Sequence, residues 1–361
     1  MGPDGRPGWP PNGGWDTHHP DGTQTPASND GFHPTRDGED PGQRPDDAEA
    51  RIYDPPYDPP PARTEIKFED EPDFDNWPEG APGVRVEPSN EPFVRWNRPD
   101  DSEFSSPAPD DPANPETNPL RNGETFSSRD NPPESELRPK TKYTTPRATF
   151  YTNSEGRIEW VEAHPGRQGD PNPELNNPAP NAKYRVADNW TFQTNSKGET
   201  SAMTGTPHYK NNPNDPVSQS THYYRDENAQ DRVGQRGYDA YRGTEWEHVN
   251  WDGGHMAAHE SGGPGEEINQ FPQIRGSNQG HYEDGYTYKA SWRALEAYLS
   301  RTAKTPGCSV DQIQVKLHPD NSTVPETATY RWTETRNGVT KTYEMVFPND
   351  PAKVNFGRPR R

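Results

Sequence analysis

Between Asp252 and Glu296 the chain gathers residue types suited to acid–base and cation chemistry. A histidine follows two glycines in Asp252-Gly253-Gly254-His255, carboxamides recur at Asn269, Gln270, Gln273, Asn278 and Gln279, and a carboxylate stands at Glu296. Glycines such as Gly254 let the backbone turn tightly and let a bulky substrate come close to an imidazole. A neutral imidazole can take a proton from water near neutral pH. Phosphodiester cleavage needs that base, an in-line water, and a cation to absorb the charge developing on oxygen. Magnesium, or manganese in its place, keeps most of its waters, so one protein oxygen such as that of Asn278 can anchor it. On residue types alone the same run also spells a turn with an exposed imidazole. A third reading pairs His255 with His259 as two zinc ligands on a helix. That pattern wants Glu directly after the first His, where Met256 stands, and the flanking glycines oppose a helix.

Five short motifs follow one another in this stretch. They are Asp252-Gly253-Gly254-His255, Gly262-Gly263-Pro264-Gly265-Glu266, Asn269-Gln270-Phe271-Pro272-Gln273, Asn278-Gln279-Gly280 and Trp292-Arg293-Ala294-Leu295-Glu296. In this order they resemble the DNA/RNA non-specific endonucleases of the ββα-metal superfamily. The resemblance is closest to the branch found at the C-termini of bacterial polymorphic and secreted toxins. It extends loosely from about Arg147 to Phe347. It implies a magnesium-dependent endonuclease acting on DNA and/or RNA and leaving a 5′-phosphate. His255 would be the general base, Asn278 the direct metal ligand, and Glu296 the carboxylate that holds the waters around the ion. Asp252 would orient the motif, and Asn269 and Gln273 would order the loop or contact the backbone phosphate. A toxin of this kind implies a cognate immunity protein as a partner, and delivery to a target cell.

Two departures from the family bear on activity. The best-known members carry Arg where Gly253 stands, so a phosphate-binding charge must come from elsewhere. Arg232, Arg236 and Arg275 are the candidates, and Arg232 in Gln230-Asp231-Arg232-Val233-Gly234 fits the family's upstream basic position. The family also places its Glu closer to the metal Asn. Here an apparent insertion around His281–Ala290 separates Asn278 from Glu296, so Glu283 competes for the carboxylate role. The competing class is a secreted or surface binding protein on a catalytically degenerate nuclease fold.

The elements that must position these residues divide by composition. Residues 1–141 carry 13 Lys and Arg against 31 Asp and Glu, a net of −18, whereas residues 142–361 carry 25 against 27, a net of −2. The acidity of the chain therefore says nothing against a polyanionic substrate in the second part. The first part also holds 28 of the 45 prolines. Its low apolar content predicts a disordered acidic leader or linker over 1–141, followed by one domain over 142–361. Cys308 is the only cysteine, which rules out an intrachain disulfide and a cysteine-rich zinc site. No apolar run is long enough to span a membrane. The N-terminus lacks an apolar signal core, so the expectation is export by another route, or else cytoplasmic residence.

In the second part, Phe150-x-Thr152-Asn153-Ser154-x-Gly156 and Phe192-x-Thr194-Asn195-Ser196-x-Gly198 read as two strand–turn–strand units. They are an internal repeat or two independent hairpins with similar turns, the second being favoured. Residues 207–250 are polar and aromatic with little periodicity. Tyr288 to Arg301 reads as a helix with Trp292, Leu295 and Leu299 on one face. Asp311 to Leu317 alternates as a strand, and Asn337-Gly338 marks a hairpin between two more. The expected fold class is α+β: an antiparallel sheet with a ββα-metal nuclease core, behind the long acidic segment.

Overall fold

A computed structural model describes residues 86–120, 124–127, 137–221, 223–279 and 291–352. All of them belong to the second of two compact units, Phe68–Arg361; the first, Met1–Lys67, lies outside the described residues. The second unit has mixed α/β content, with a large, mainly antiparallel sheet and few helices. Ten strands make that sheet: β1 (Val86–Pro88), β2 (Lys142–Thr144), β3 (Ala148–Thr152), β4 (Ile158–Ala163), β5 (Lys183–Val186), β6 (Trp190–Thr194), β7 (Thr200–Gly205), β10 (Cys308–His318), β11 (Thr327–Arg336) and β12 (Val339–Pro348). Their order is β1-β12-β11-β10-β7-β6-β5-β4-β3-β2. The remaining two strands, β8 (Trp251–His255) and β9 (Gln270–Ile274), pair only with each other. Among the described residues the α-helices are α1 (Pro173–Asn176), α2 (Glu227–Tyr241), α3 (Arg275–Gln279) and α4 (Trp292–Lys304).

Both strand–turn units form as expected, and they are parts of a larger repeat. β2-β3-β4 and β5-β6-β7 are equivalent three-stranded meanders, joined by the parallel pair β4–β5. In each, an Asn side chain accepts two backbone N–H groups across the turn: Asn153 from Glu155 and Arg157, Asn195 from Lys197 and Glu199. The turn closes on a glycine at φ +80° or +73°, where an L side chain would be strained. Thr152 and Thr194 bond the backbone of the preceding strand in the same way. The Tyr143 and Tyr184 hydroxyls each accept a backbone N–H, from Arg138 and Ala179. The preference for two unrelated hairpins is therefore corrected. Two short turn motifs alone did not carry the signal, because the matching tyrosines lie outside them.

The inner face of the sheet is apolar and is covered by α4 and by the hairpin β8–β9. Trp292 is the joint. Its ring meets Phe271 of β9, Tyr330 of β11 and Phe347 of β12 at 5.6, 5.1 and 4.9 Å between centroids. Leu295 and Leu299 lie fully buried beneath it, as their helical spacing predicts. Ser291 caps α4 by accepting the Ala294 N–H. The hairpin at Asn337-Gly338 also forms as expected, with both residues at positive φ.

Of the leader expected over 1–141, residues 86–120, 124–127 and 137–141 are described, and they pack against the sheet. β1 pairs with β12, and the chain then crosses the outer face of the sheet. The Pro92 carbonyl accepts from Arg331 of β11, and the Val94 N–H donates to Gln314 of β10. Arg98 reaches Glu162 of β4 and Tyr151 of β3, and Ser105 bridges to Thr141 beside β2. Further along, Phe126 and Leu137 enter the core, and the buried Glu174 carboxylate accepts the N–H groups of Phe126 and Ser127. These contacts are single and mostly polar, so they leave no period in the sequence. A chain beginning at residue 86 should fold, whereas one beginning at residue 142 should melt several degrees lower or aggregate. Thermal unfolding followed by circular dichroism separates the two outcomes.

Candidate functional site

The hairpin β8–β9 carries most of the residues singled out above. Its register opposes Asp252 to Gln273 and His255 to Gln270. Because side chains alternate along a strand, Asp252 and Gly254 face one way, and Gly253 and His255 the other. The glycines show where each face looks. A Cβ on Gly253 would meet the Gln230 carbonyl of α2 at 2.5 Å, and a Cβ on Gly254 would run into the Gln273 side chain. Helix α2 lies this close because its own contact residues are small. Gly234 sits over the β8 backbone and Gly237 over the Trp251 ring, flanked by buried Ala229 and Val233. Asp226 caps the helix by accepting the Ala229 N–H. Residues 207–250 are thus not without regular structure. The stripe at Ala229, Val233 and Gly237 has helical spacing, but its residues are too small to read as an apolar face.

His255 points into the space between α2 and the loop that follows β8. Its side chain is 8% exposed, so the reading of a turn with an exposed imidazole is overturned. The Gln230 amide stands 3.4 Å from Nδ1, and the same amide nitrogen donates to Gly253 O at 3.2 Å. Nε2 is buried and has no hydrogen-bond partner. Burial, with help from the Arg225 guanidinium and from His259, holds the imidazole down at about 3, so it is neutral at pH 7. Arg225 precedes the cap of α2, and its Nε donates to Nδ1 of His259 at 3.2 Å. Arg225 also acts on Glu296 of α4. Burial pushes that carboxyl up to about 8, against the pull of Arg225. His255 and Glu296 therefore share one cation. His259 lies in a short 3-10 turn, His259–Ser261, while His255 ends a strand, so the two do not share a helix face.

On the other face, Asp252 is a hub. Its carboxylate accepts from Arg275 Nε at 2.9 Å, Asn278 Nδ2 at 3.1 Å and Gln279 Nε2 at 2.7 Å. One carboxylate thereby holds the whole of α3 against the start of β8. The Asn278 amide nitrogen is used, which turns its oxygen away from Asp252. Asn278 thus stands with Asp252, and His255 with Gln230 and Arg225, on opposite faces of one strand. Helix α3 packs against α4, so the elements bearing Asn278 and Glu296 are neighbours. Glu283 and the span 281–290 lie outside the described residues.

Arg232 and Arg236 both pair with the buried carboxylate of Glu267, Arg232 through Nε at 2.6 Å and Arg236 at shorter range. Asn269 is fully buried, and its amide bonds the backbone of Ala257 and Pro264. Gln273 is buried beside Gly254, and neither of its amide atoms has a hydrogen-bond partner. Glu266 accepts the Gly166 and Asn172 N–H groups and so ties the glycine loop to the first repeat. Arg225, Gln230 and Glu267 were not among the site residues expected from the sequence, and Glu266 entered only as the end of the glycine motif. Glu267 borders that motif, whereas Arg225 and Gln230 carry no local pattern.

Among the described residues, no group of three or more His, Cys, Asp or Glu is arranged to hold a metal ion, and no helix is long and apolar enough to cross a membrane. No protein-family model matches the chain, and no curated protein matches it either.

Two stability tests follow from the site. Alanine at Gly253 should cost about 1–3 kcal/mol, because the Gln230 backbone cannot give way cheaply; chemical denaturation reads the difference. The second test is pH dependence. Glu296 is raised, so its contribution is full below 4.5 and is lost as pH rises through about 8. His255 is depressed, so its contribution is present above 6.5 and is lost as pH falls toward about 3. Glu296→Gln should therefore flatten the alkaline side of a melting-temperature profile, by at most about 1.4 kcal/mol per pH unit, and leave the acid side in place. Glu174, raised by burial to about 7, keeps its own share of the alkaline loss in both proteins.

Proposed function

We propose that the folded part of this chain is a metal-dependent endonuclease of the ββα-metal type, hydrolysing phosphodiester bonds of DNA and/or RNA as a delivered toxin effector. The observation that carries the reading is the buried, neutral His255 whose Nε2 has no partner. A buried polar atom left without a hydrogen bond costs stability, and such atoms concentrate at sites of function. The hairpin β8–β9 followed by α3 supports the same reading, since it carries Asp252–His255, Gln270–Gln273 and Asn278 in one continuous substructure, with His255 and Asn278 on opposite faces of β8.

In this reading His255 takes the proton of the attacking water on Nε2 as the new P–O bond forms and the bond to the leaving O3′ breaks. The leaving oxygen then takes up a proton, and the 5′-phosphate remains. The productive tautomer would carry the ring proton on Nδ1, which requires the Gln230 amide to turn over, give up its bond to the Gly253 carbonyl and accept from Nδ1 through its oxygen. A bound phosphodiester anion offsets the cationic surroundings and raises the basicity of the imidazole when substrate is present. Asn278 fits a hard cation, because its amide nitrogen is spent on Asp252 and its oxygen is left to donate. Magnesium or manganese would there stabilise charge on the phosphate and the leaving oxygen. Glu296 would orient water in its carboxylate form, which a nearby cation favours. An inhibitor protein in the producing cell is part of the same proposal.

Plasmid DNA and a long RNA should be cleaved in magnesium or manganese and left intact in EDTA. His255→Ala should lower the rate by at least about 100-fold while the protein still unfolds in one cooperative transition. Loss of cleavage under every divalent ion tested would leave a binding protein on this fold as the better account.

A further inference from the structure

The position of the family's motif arginine is sterically closed here, because the Gln230 backbone of α2 fills the space in front of Gly253. The three arginines first considered as replacements are engaged. Arg232 and Arg236 share Glu267, and Arg275 is bound to Asp252. Arg225 differs from them. Its Nε is anchored on a neutral imidazole, which leaves the guanidinium its full charge. Among the described residues no carboxylate lies within ion-pair distance of it, and its two terminal nitrogens have no partner. It is exposed, and it stands at the entry to α2, the helix whose Gln230 touches His255. A guanidinium fork with free terminal N–H groups matches two oxygens of a phosphate.

We propose that Arg225, held in place by His259, is the residue that binds the scissile phosphate beside His255. This rests on the nuclease reading, and it names the contact that supplies the charge missing at Gly253. His259 is a positioning residue in this arrangement. Its ring is kept neutral by burial and by Arg225 itself, so it can accept the Arg225 Nε–H. The phosphate would enter between the Arg225 fork and the unpartnered Nε2 of His255.

The test separates binding from cleavage. A His255→Ala protein in EDTA is titrated with a short fluorescent DNA duplex over a range of potassium chloride concentrations. Adding Arg225→Ala should weaken binding several-fold and reduce the slope of log affinity against log salt by about one. His259→Ala should lower affinity less, with little change in slope, because the charge stays and only its placement is lost. Arg185→Ala, a surface arginine paired with Asp188, serves as a charge control and should change neither quantity. In the otherwise wild-type protein, Arg225→Lys should keep the slope and lose kcat/KM at least about 10-fold, since an ammonium lacks the fork. Thermal melts check folding, with Arg225→Gln as a second neutral variant. An unchanged slope and affinity in Arg225→Ala would overturn the assignment even if the wild type cleaves. A wild type that cleaves nothing, with an Arg225-dependent slope, would overturn the nuclease reading and leave the phosphate contact standing.

Discussion

The close approach of helix α2 to strand β8 is the constraint on which the rest of the site depends. Three glycines permit it: Gly234 and Gly237 on the helix, and Gly253 on the strand. With Cβ atoms at these positions the two backbones would have to separate. At the observed spacing Gln230 reaches both the Gly253 carbonyl and the His255 ring. The same packing fixes the start of α2, and so the place of Arg225. It also removes the room in which a side chain at position 253 would project. One steric fact thus sets the position of the imidazole, leaves no room for a side chain at position 253, and brings a cation near.

Around this contact, buried and half-buried carboxylates act as ties. Asp252 gathers Arg275, Asn278 and Gln279, Glu267 gathers Arg232 and Arg236, and Glu266 takes two backbone N–H groups from the first repeat. Each tie joins segments that are distant in sequence, in a region with few large apolar side chains to do so. A buried carboxylate is favourable only when its partners are kept, so these ties constrain the geometry more than they add to stability. Asn269 does the same for the glycine loop without a charge.

What could be read from the sequence follows from which signals are local. The Asn337-Gly338 hairpin, the alternation in β10 and the spacing of Trp292, Leu295 and Leu299 are short-range patterns, and all three formed as expected. The residues from Asp252 to Asn278 stood out because each lies within a few residues of a glycine or a carboxamide, and the fold gathers most of them on β8, β9 and α3. Helix α2 was hidden because its buried face is made of Ala, Val and Gly, which give almost no hydrophobic contrast. The described residues between Val86 and Thr141 were hidden because their contacts are isolated and long-range, such as Arg98 to Glu162. Arg225 was hidden for a related reason. What distinguishes it from Arg232 and Arg236 is that, among the described residues, no carboxylate lies within ion-pair distance of it, a property of the fold.

The pairing of β7 with β10 has a consequence for how such a protein can change. These strands are adjacent in the sheet, as in Met203 opposite Val315, yet the whole site-bearing segment runs between them. The sheet is closed by hydrogen bonds across that junction, and the segment leaves and re-enters at neighbouring points. Closing a longer loop adds entropy cost only slowly with length. The scaffold can therefore accept residues added within this excursion without altering its strand register, which leaves the site-bearing segment open to insertion and exchange.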